Sequence, residues 1–230
     1  MTAHEHHTRH EGHLAFAQEE QSREGVAHRE AERPARQAPR LLIVGPQGSG
    51  KGTQGARLAE LFGIPAISTG DVFRTHIKDE TELGRKVKAV IESGDLVSDA
   101  LTFEVLRDRL SQGDTGEGFL LDGFPRNIAQ VGLLDDYLGP RDEALTAVIE
   151  LDVPREVSIA RIAERAREQG RTDDTEEAIA NRLAIYERET APILAVYRDH
   201  GLVDAVDGVG SLDAVTERIV AALAARGIVA

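Results

Sequence analysis

Residues 41–54 read LLIVGPQGSGKGTQ, and this stretch decides the fold. Its first four residues form an apolar run typical of a buried β-strand, and the segment that follows it carries apolar residues at helical spacing. Between the two lie four glycines and Lys51. Glycines allow successive backbone N–H groups to point at one anion, and the start of a helix adds partial positive charge. The stretch therefore predicts a phosphate-binding loop between a strand and a helix.

The spacing of this loop is that of a P-loop with one change. Gly45 and Gly50-Lys51 stand at the expected positions, but the next residue is Gly52 and the hydroxyl comes one place later, at Thr53. Lys51 can reach the terminal phosphates of a nucleotide as a mobile point charge. We therefore predict nucleotide binding. The loop alone does not choose among a kinase, a GTPase and an ATPase.

The chain beyond this loop alternates short apolar runs with segments of helical period. The further runs that we predict to be strands are 65–67, 119–121, 147–149 and 202–206. Strands separated by helices form parallel sheets with right-handed crossovers. The sequence thus predicts an α/β protein, a three-layer P-loop fold with a central five-stranded parallel sheet. One helix is predicted from about Glu176, with a kink at Pro192. A last helix is predicted to start after Ser211 and to end near Gly227.

Composition excludes several classes of protein. The chain has 230 residues, 41% of them apolar and 29% charged, which suits a globular protein with a buried core. Cys is absent, which excludes disulfides, thiol catalysis and thiolate metal sites. A net charge of −13 disfavours nucleic acid and anionic membranes as partners. The sequence has no apolar run long enough for a membrane helix and no apolar core of a secretion signal, so we expect a cytoplasmic protein.

The N-terminal segment, residues 1–39, differs from the rest of the chain. It holds six of the eight His and few large apolar residues. Such a segment cannot bury enough surface to offset its ordering entropy. We expect a disordered His-rich extension over residues 1–39, followed by one domain over residues 40–230. The irregular spacing of the His residues favours a polar tail over a metal site.

Four further segments contain aspartate, and three of them combine it with glycine. They are 68–74 (STGDVFR), 94–99 (GDLVSD), 118–127 (GFLLDGFPRN) and 171–174 (RTDD), the last leading to Arg182. Together with the P-loop, these ordered motifs resemble those of adenylate kinase. The resemblance covers the chain from Leu41 to the C-terminus and leaves the His-rich extension unmatched.

The resemblance implies a nucleoside monophosphate kinase domain and its reaction. A small helical monophosphate-binding flap would span residues 68–97 and a lid residues 164–174. Only residues 166–170 separate Arg165 from Arg171, so the lid is of the short kind and carries no zinc site. The implied reaction is reversible, Mg-assisted, in-line transfer of the terminal phosphoryl group of ATP to AMP, which gives two ADP. The implied cofactor is Mg²⁺, and the implied enzyme is a monomer.

The resemblance also implies roles for individual residues. The ATP site would comprise Gly48, Ser49, Gly50, Lys51, Gly52, Thr53, Arg161, Arg165 and Gly210. The AMP site would comprise Thr69, Arg74, Asp95, Leu96, Val97, Gly123, Phe124, Pro125, Arg126, Gln130, Arg171 and Arg182. Within it, Gln130 would read the adenine edge. The catalytic set would be Lys51, Arg126, Arg165, Arg171 and Arg182. No residue would bind metal directly, and Asp122 would orient Mg-bound water.

The charges of these residues suit phosphoryl transfer even when the family resemblance is set aside. ATP and AMP together carry roughly six negative charges, and phosphoryl transfer needs alignment and charge stabilisation more than covalent help. Five separate segments supply six cations: Lys51, Arg74, Arg126, Arg165, Arg171 and Arg182. Guanidinium groups suit this work because they bond phosphate oxygens in pairs. No general base is required, because an AMP phosphate oxygen is an adequate nucleophile.

Three alternatives remain open on sequence alone. A UMP/CMP kinase would share the fold; Thr69 and Gln130 favour AMP, whereas Asn127 is shared with pyrimidine kinases. A non-catalytic nucleotide sensor would keep the P-loop but would not need arginines on both flaps. The lid arginine that contacts ATP is Arg165 by register from the preceding helix, or Arg167 by lid geometry.

Overall fold

The centre of the fold is a parallel sheet. A computed structural model describes residues 38–169 and 175–230, with side chains described except at 168 and 169. The strands are β1 Arg40–Val44, β2 Ala66–Ser68, β3 Phe119–Asp122, β4 Ala147–Asp152 and β5 Val203–Asp207. They are all parallel, in the order β2-β3-β1-β4-β5. The predicted α/β class and five-stranded parallel sheet are confirmed. Of the predicted extension, only its last two residues, 38 and 39, are among the described ones.

Helices connect the strands and cover the sheet. They are α1 Lys51–Phe62, α2 Thr69–Lys78, α3 Glu82–Glu92, α4 Asp99–Leu110, α5 Ile128–Leu138, α6 Arg155–Gln169, α7 Glu176–Ile185, α8 Ile193–Asp199 and α9 Leu212–Ala225. A short 3₁₀ turn follows α5 at Gly139–Arg141, and a wide π turn lies at Tyr186–Thr190. Among the described residues, no helix is long and apolar enough to cross a membrane.

The register of the strands decides which loops meet. Ser68 of β2 pairs with Asp122 of β3, and Asp122 pairs with Ile43 of β1. The chain leaves these three neighbouring strands within one or two residues of that level. Because ligands of open parallel sheets bind beyond the carboxyl ends of the strands, the loops after β1, β2 and β3 form the expected binding edge.

The core has two layers, one on each face of the sheet. Successive strand residues alternate between them: Leu42 and Val44 belong to one cluster, Leu41 and Ile43 to the other. The first cluster includes buried residues of α4, α5 and α8, and the second includes buried residues of α1 and α9. This alternation confirms the three-layer arrangement, since both faces of each central strand are apolar and covered.

A third, small apolar cluster lies between α2 and α3 and extends to the first turns of α4. Phe73, Val87 and Val97 are buried together there, apart from the two clusters on the sheet. The helices pack so closely that a Cβ at Gly84 would lie 2.0 Å from the carbonyl oxygen of His76. Thr81 caps α3 by accepting a hydrogen bond from the Gly84 N–H at 3.0 Å. The separation of this cluster from the two sheet clusters suits the predicted flap.

The helical segment after residue 175 is interrupted where the sequence predicts a kink. Helix α7 ends at Ile185, and Ala191 donates a backbone hydrogen bond to the Tyr186 oxygen at 2.8 Å, a five-residue spacing wider than that of an α-helix. Helix α8 then begins directly after Pro192, which has no N–H to continue the preceding ladder. The result is a widened turn that reorients the chain towards β5.

Candidate functional site

The loop between β1 and α1 is shaped by glycines. Gly48 and Gly50 have positive φ angles of 82° and 97°. A Cβ at Gly48 would lie 2.4 Å from the carbonyl oxygen of Ser158 on α6, so no other residue fits there without a shift of backbone. The N-cap of α1 is Gly50, which has no side chain that could accept hydrogen bonds from the first N–H groups of the helix. These N–H groups therefore point into the space before the helix.

Lys51 is a constrained cation at the start of α1. Its ammonium group donates to the carbonyl oxygens of Gly45 at 2.7 Å and Pro46 at 2.9 Å. Burial lowers the pKa of Lys51 to about 8; the positive charges of Arg126 and Arg165 lower it further, and Asp122 opposes the shift. An anionic ligand in the cleft would offset these positive charges and would therefore stabilise the charged form of Lys51.

Arg126 lies in the turn between β3 and α5. Its Nε donates to the carbonyl oxygen of Gly123 at 2.8 Å, which holds the guanidinium group against the turn. Burial lowers the pKa of Arg126, and the positive charges of Arg182 and Arg74 lower it further, while Asp122 opposes. Several cations are therefore held at one place around a single carboxylate, an arrangement that an anionic ligand would stabilise.

Helix α6 contributes two further arginines, Arg161 and Arg165, to the site. Arg161 donates to the carbonyl oxygens of Ser49 at 3.3 Å and Gly208 at 3.0 Å, which ties α6 to the phosphate loop and to the loop after β5. Arg165 lies one turn further along α6 and lines the cleft. Arg167 is exposed and donates to the Ala163 oxygen of its own helix at 3.3 Å. The register of α6 therefore directs Arg165, and not Arg167, towards the cleft.

These groups surround one cleft of about 820 Å³. The predicted residues that line it are Gly48, Ser49, Gly50, Lys51, Gly52, Thr53, Arg74, Asp95, Leu96, Asp122, Gly123, Pro125, Arg126, Arg161, Arg165, Arg182 and Gly210. The volume falls in the range of small-molecule sites. One cleft thus collects residues from the loops after β1, β3 and β5 and from α2, α6 and α7.

Four predicted residues lie beside the cleft without lining it. Thr69 is buried and donates to the carbonyl oxygen of Gly123 at 3.0 Å. Val97 belongs to the apolar core of α2 and α3, and Phe124 to the sheet core. Gln130 is only 1% exposed and accepts a hydrogen bond from the Arg126 N–H at 2.7 Å. Arg171 lies outside the described residues.

Comparison with known proteins identifies the family of this chain. The sequence model of adenylate kinase matches residues 43–202. The chain belongs to the adenylate kinase family. It is 55% identical over 188 residues to an adenylate kinase of Leifsonia xyli subsp. xyli, a match that covers 82% of this chain and 94% of the relative. An adenylate kinase of Bifidobacterium longum is 52% identical over 184 residues, which are 80% of this chain and 99% of the relative.

Helix α7 makes contacts with residues 91–95 that sequence reasoning missed. Asn181 donates to Asp95 Oδ1 at 2.7 Å and to the Ser93 oxygen at 3.1 Å, and Arg182 donates to the Ile91 oxygen at 2.9 Å. The hydrogen bonds from Asn181 and Ser93 lower the pKa of Asp95. In the sequence, these contacts are indicated only by the position of Asn181 next to Arg182, a residue of the predicted AMP site.

A second omission is Asp99, which accepts hydrogen bonds from Asn127 and Gln130. It stands 31 residues before Gln130, and nothing in the local pattern links the two. Its place in the first turn of a helix has an ordinary explanation, because an acidic residue there interacts favourably with the helix dipole. Its contacts become visible only in the folded protein.

Proposed function

We propose that the cleft between the phosphate loop and the Arg126 turn is where this adenylate kinase transfers the terminal phosphoryl group of ATP to AMP, forming two ADP. One observation carries this assignment: Lys51, Arg126 and Arg165 converge on one cleft from three separate elements, and burial and mutual repulsion lower the pKa values of Lys51 and Arg126. A cluster of this kind suits the polyphosphate formed when two nucleotides meet.

The ATP side is proposed to lie along the phosphate loop and α6. The N–H groups of residues 48–53 would bind the phosphates, and Lys51 would leave its two carbonyl partners to follow the phosphoryl group being transferred. Arg161 and Arg165 would contact ATP, and Gly210 would allow close approach of the nucleotide at the other end. Gly210 has a φ of 123°, a conformation that favours glycine.

The AMP side is proposed to lie between the flap and the Arg126 turn. Arg74, Arg126 and Arg182 would hold the AMP phosphate, together with Arg171 of the lid. Thr69, Gln130 and the main chain of residues 95–97 and 123–125 would position the nucleoside. The segments 68–97 and 164–174 are proposed to close over both nucleotides, because an open site would allow water to take the phosphoryl group.

Alignment and charge are the main contributions of the protein to the reaction. An AMP phosphate oxygen attacks the terminal phosphorus of ATP in line with the bond to the leaving ADP, and that bond breaks as the new one forms. The nucleophile is already anionic, so no side chain has to remove a proton. Lys51 and the surrounding guanidinium groups stabilise the negative charge that spreads over the transferred oxygens.

The residues present fit a nucleotide-bound Mg²⁺ ion better than a metal held by the protein. Among residues 38–169 and 175–230, no group of three or more His, Asp or Glu could hold a metal ion. Asp122 lines the cleft, and we propose that it orients a nucleotide-bound Mg²⁺ ion through the water bound to that ion. When bound with ATP, Mg²⁺ neutralises part of the phosphate charge.

We further propose that the enzyme works as a cytoplasmic monomer, since a monomer and a cytoplasmic location are typical of the family.

A substrate panel tests the proposed function. With ATP as donor, AMP, CMP, UMP and GMP are offered in turn and ADP formation is followed with a coupled assay. We expect kcat/KM for AMP to exceed that for each of the others by at least about 100-fold, because polar groups made for one base are left unpaired by another. Little activity with AMP and high activity with CMP or UMP would support a pyrimidine kinase instead, and no turnover with any of them would support a nucleotide sensor.

Two neighbouring arginines of α6 provide a matched test of the ATP side. We expect Arg165→Ala to lower kcat/KM for ATP by about 100-fold, because a guanidinium group in the cleft is lost. Arg167→Ala removes the same charge two residues away, from an exposed side chain, and should change this value less than about threefold. Steady-state kinetics at saturating AMP measures both. A larger loss in Arg167→Ala than in Arg165→Ala would reverse the assignment.

A further inference from the structure

Asp99 joins the end of the flap to the segment that carries Arg126. It is the first residue of α4. Its Oδ1 atom accepts hydrogen bonds from Asn127 Nδ2 at 2.9 Å and Gln130 Nε2 at 2.7 Å. Asn127 in turn caps α5, since its Oδ1 accepts a hydrogen bond from the Gln130 N–H at 2.9 Å. None of the roles proposed above involves Asp99.

This network fixes which way the amide of Gln130 points. An ionised carboxylate can only accept hydrogen bonds, and a backbone N–H can only donate one. The Nε2 atom must therefore face Asp99, and Oε1 must face the N–H of Arg126, from which it accepts at 2.7 Å. In this orientation the amide keeps one further N–H on Nε2 and one further lone pair on Oε1. Because Gln130 is buried beside the cleft, a base would reach these atoms only after the neighbouring side chains move.

A reversed amide would be strongly disfavoured. Gln130 is 1% exposed, so water cannot replace a lost partner. After reversal, Oε1 would face the carboxylate of Asp99 and Nε2 would face the N–H of Arg126, which places acceptor against acceptor and donor against donor. Buried polar groups without partners are costly and rare in folded proteins. Without the Asp99 carboxylate, one of these two constraints is gone.

The orientation of an amide matters for reading a base. The edge of adenine places an acceptor, N1, beside a donor, the 6-amino group. A 6-oxo purine has the reverse order, because N1 carries a hydrogen and O6 accepts. An amide held in one orientation therefore matches one of these edges and opposes the other, whereas an amide free to reverse matches both.

We propose that Asp99 is a positioning residue for base selection: it holds Gln130 in the orientation that accepts a 6-amino purine monophosphate and rejects a 6-oxo one. The inference depends on the proposed function, in which Gln130 reads the adenine edge. The same network also supports Arg126, whose N–H donates to Gln130 and whose oxygen accepts from Thr190 Oγ1 at 2.9 Å. Loss of Asp99 should therefore affect AMP more than ATP.

The test compares AMP with IMP, which differs from AMP by the 6-oxo group and the hydrogen on N1. We expect Asp99→Ala to lower the ratio of kcat/KM for AMP to kcat/KM for IMP by at least about tenfold, with KM for ATP changed less than about threefold. Asp99→Asn keeps an oxygen that can accept and should retain most of the ratio. Glu104→Ala, an exposed acid on the same helix, should leave the ratio unchanged. Within each variant the ratio does not depend on the folded fraction, so an unstable variant remains informative.

Each outcome separates this inference from the proposed function. Wild-type enzyme that fails to phosphorylate AMP would overturn the proposed function itself. Wild-type enzyme that uses AMP, together with an Asp99→Ala variant that keeps the wild-type ratio, would overturn only the inference. Equal losses towards AMP and IMP would also overturn it, because Asp99 would then support the fold or the phosphate site without selecting the base.

Discussion

Lys51→Met is expected to lower kcat by about 10³-fold, with the fold retained. The ammonium group stands at the start of α1, lines the cleft and is held by two loop carbonyls that a phosphate oxygen can replace. Methionine has a similar length and no charge, so the variant removes the electrostatic contribution with little change in packing. The rate of ADP formation at saturating ATP and AMP measures the effect.

The stability of the Lys51→Met variant shows whether its loss of rate is a loss of fold. The pKa of Lys51 is lowered to about 8 in the folded state, so the charged form is disfavoured there. The resulting cost in stability is complete below a pH of about 8 and declines as the pH rises towards the ordinary value of 10.5. After allowance for screening in the open cleft, relief of this cost is roughly 1–2 kcal/mol. Loss of the two hydrogen bonds acts in the opposite direction and is of similar size, about 1–3 kcal/mol.

We therefore expect the melting temperature at pH 7 to stay within about 4 °C of the wild type. Lys86→Met is a matched control on the exposed side of α3, where the lysine pairs with Glu82 in solvent, and it should keep the wild-type rate. An unchanged rate in Lys51→Met would show that the phosphate loop has been misassigned. A fall in melting temperature well beyond this range would mean that Lys51 supports the fold.

The strands could be predicted because their signal is local. Both faces of β1, β3 and β4 are covered, so each reads as a short apolar run that needs no knowledge of its neighbours. The order of the strands is not local. Only the register that places Ser68, Asp122 and Ile43 at one level brings the loops after β1, β2 and β3 together, and no single run encodes that pairing.

The candidate site likewise has features that a local sequence pattern predicts and features that depend on distant segments. The phosphate loop could be predicted from its own residues. The sequence left Arg165 and Arg167 as alternatives, and of the two it is Arg165 that lines the cleft. A role for Gln130 at the base could be predicted only through the family resemblance, and it stays a prediction. Its actual partner, Asp99, belongs to a different helix and could not be found, because hydrogen bonds between distant segments leave no periodic pattern in the sequence.

Arg126→Ala is expected to lower kcat/KM for AMP by about 10³-fold, while ATP binding changes much less. Arg126 lies on the side of the cleft formed by the β3–α5 turn and is near Arg74 and Arg182. Under the proposed function, its loss is expected to affect the AMP phosphate and the transferred group. Arg126→Lys keeps the charge but loses the planar pair of donors and the Nε bond to Gly123. We expect it to recover no more than about tenfold of the loss.

Two measurements distinguish this role of Arg126 from a general effect of charge. Calorimetric titration with ATP alone should give a dissociation constant within about threefold of the wild type, since the proposed ATP side lies along the phosphate loop and α6. Arg107→Ala removes an exposed arginine from α4 and should leave the kinetics with AMP unchanged. Equal losses of affinity for ATP and AMP in Arg126→Ala would place this arginine on both nucleotides. Full recovery by Arg126→Lys would show that positive charge alone is required, because the geometry of the guanidinium group would then contribute nothing to the alignment of the phosphates.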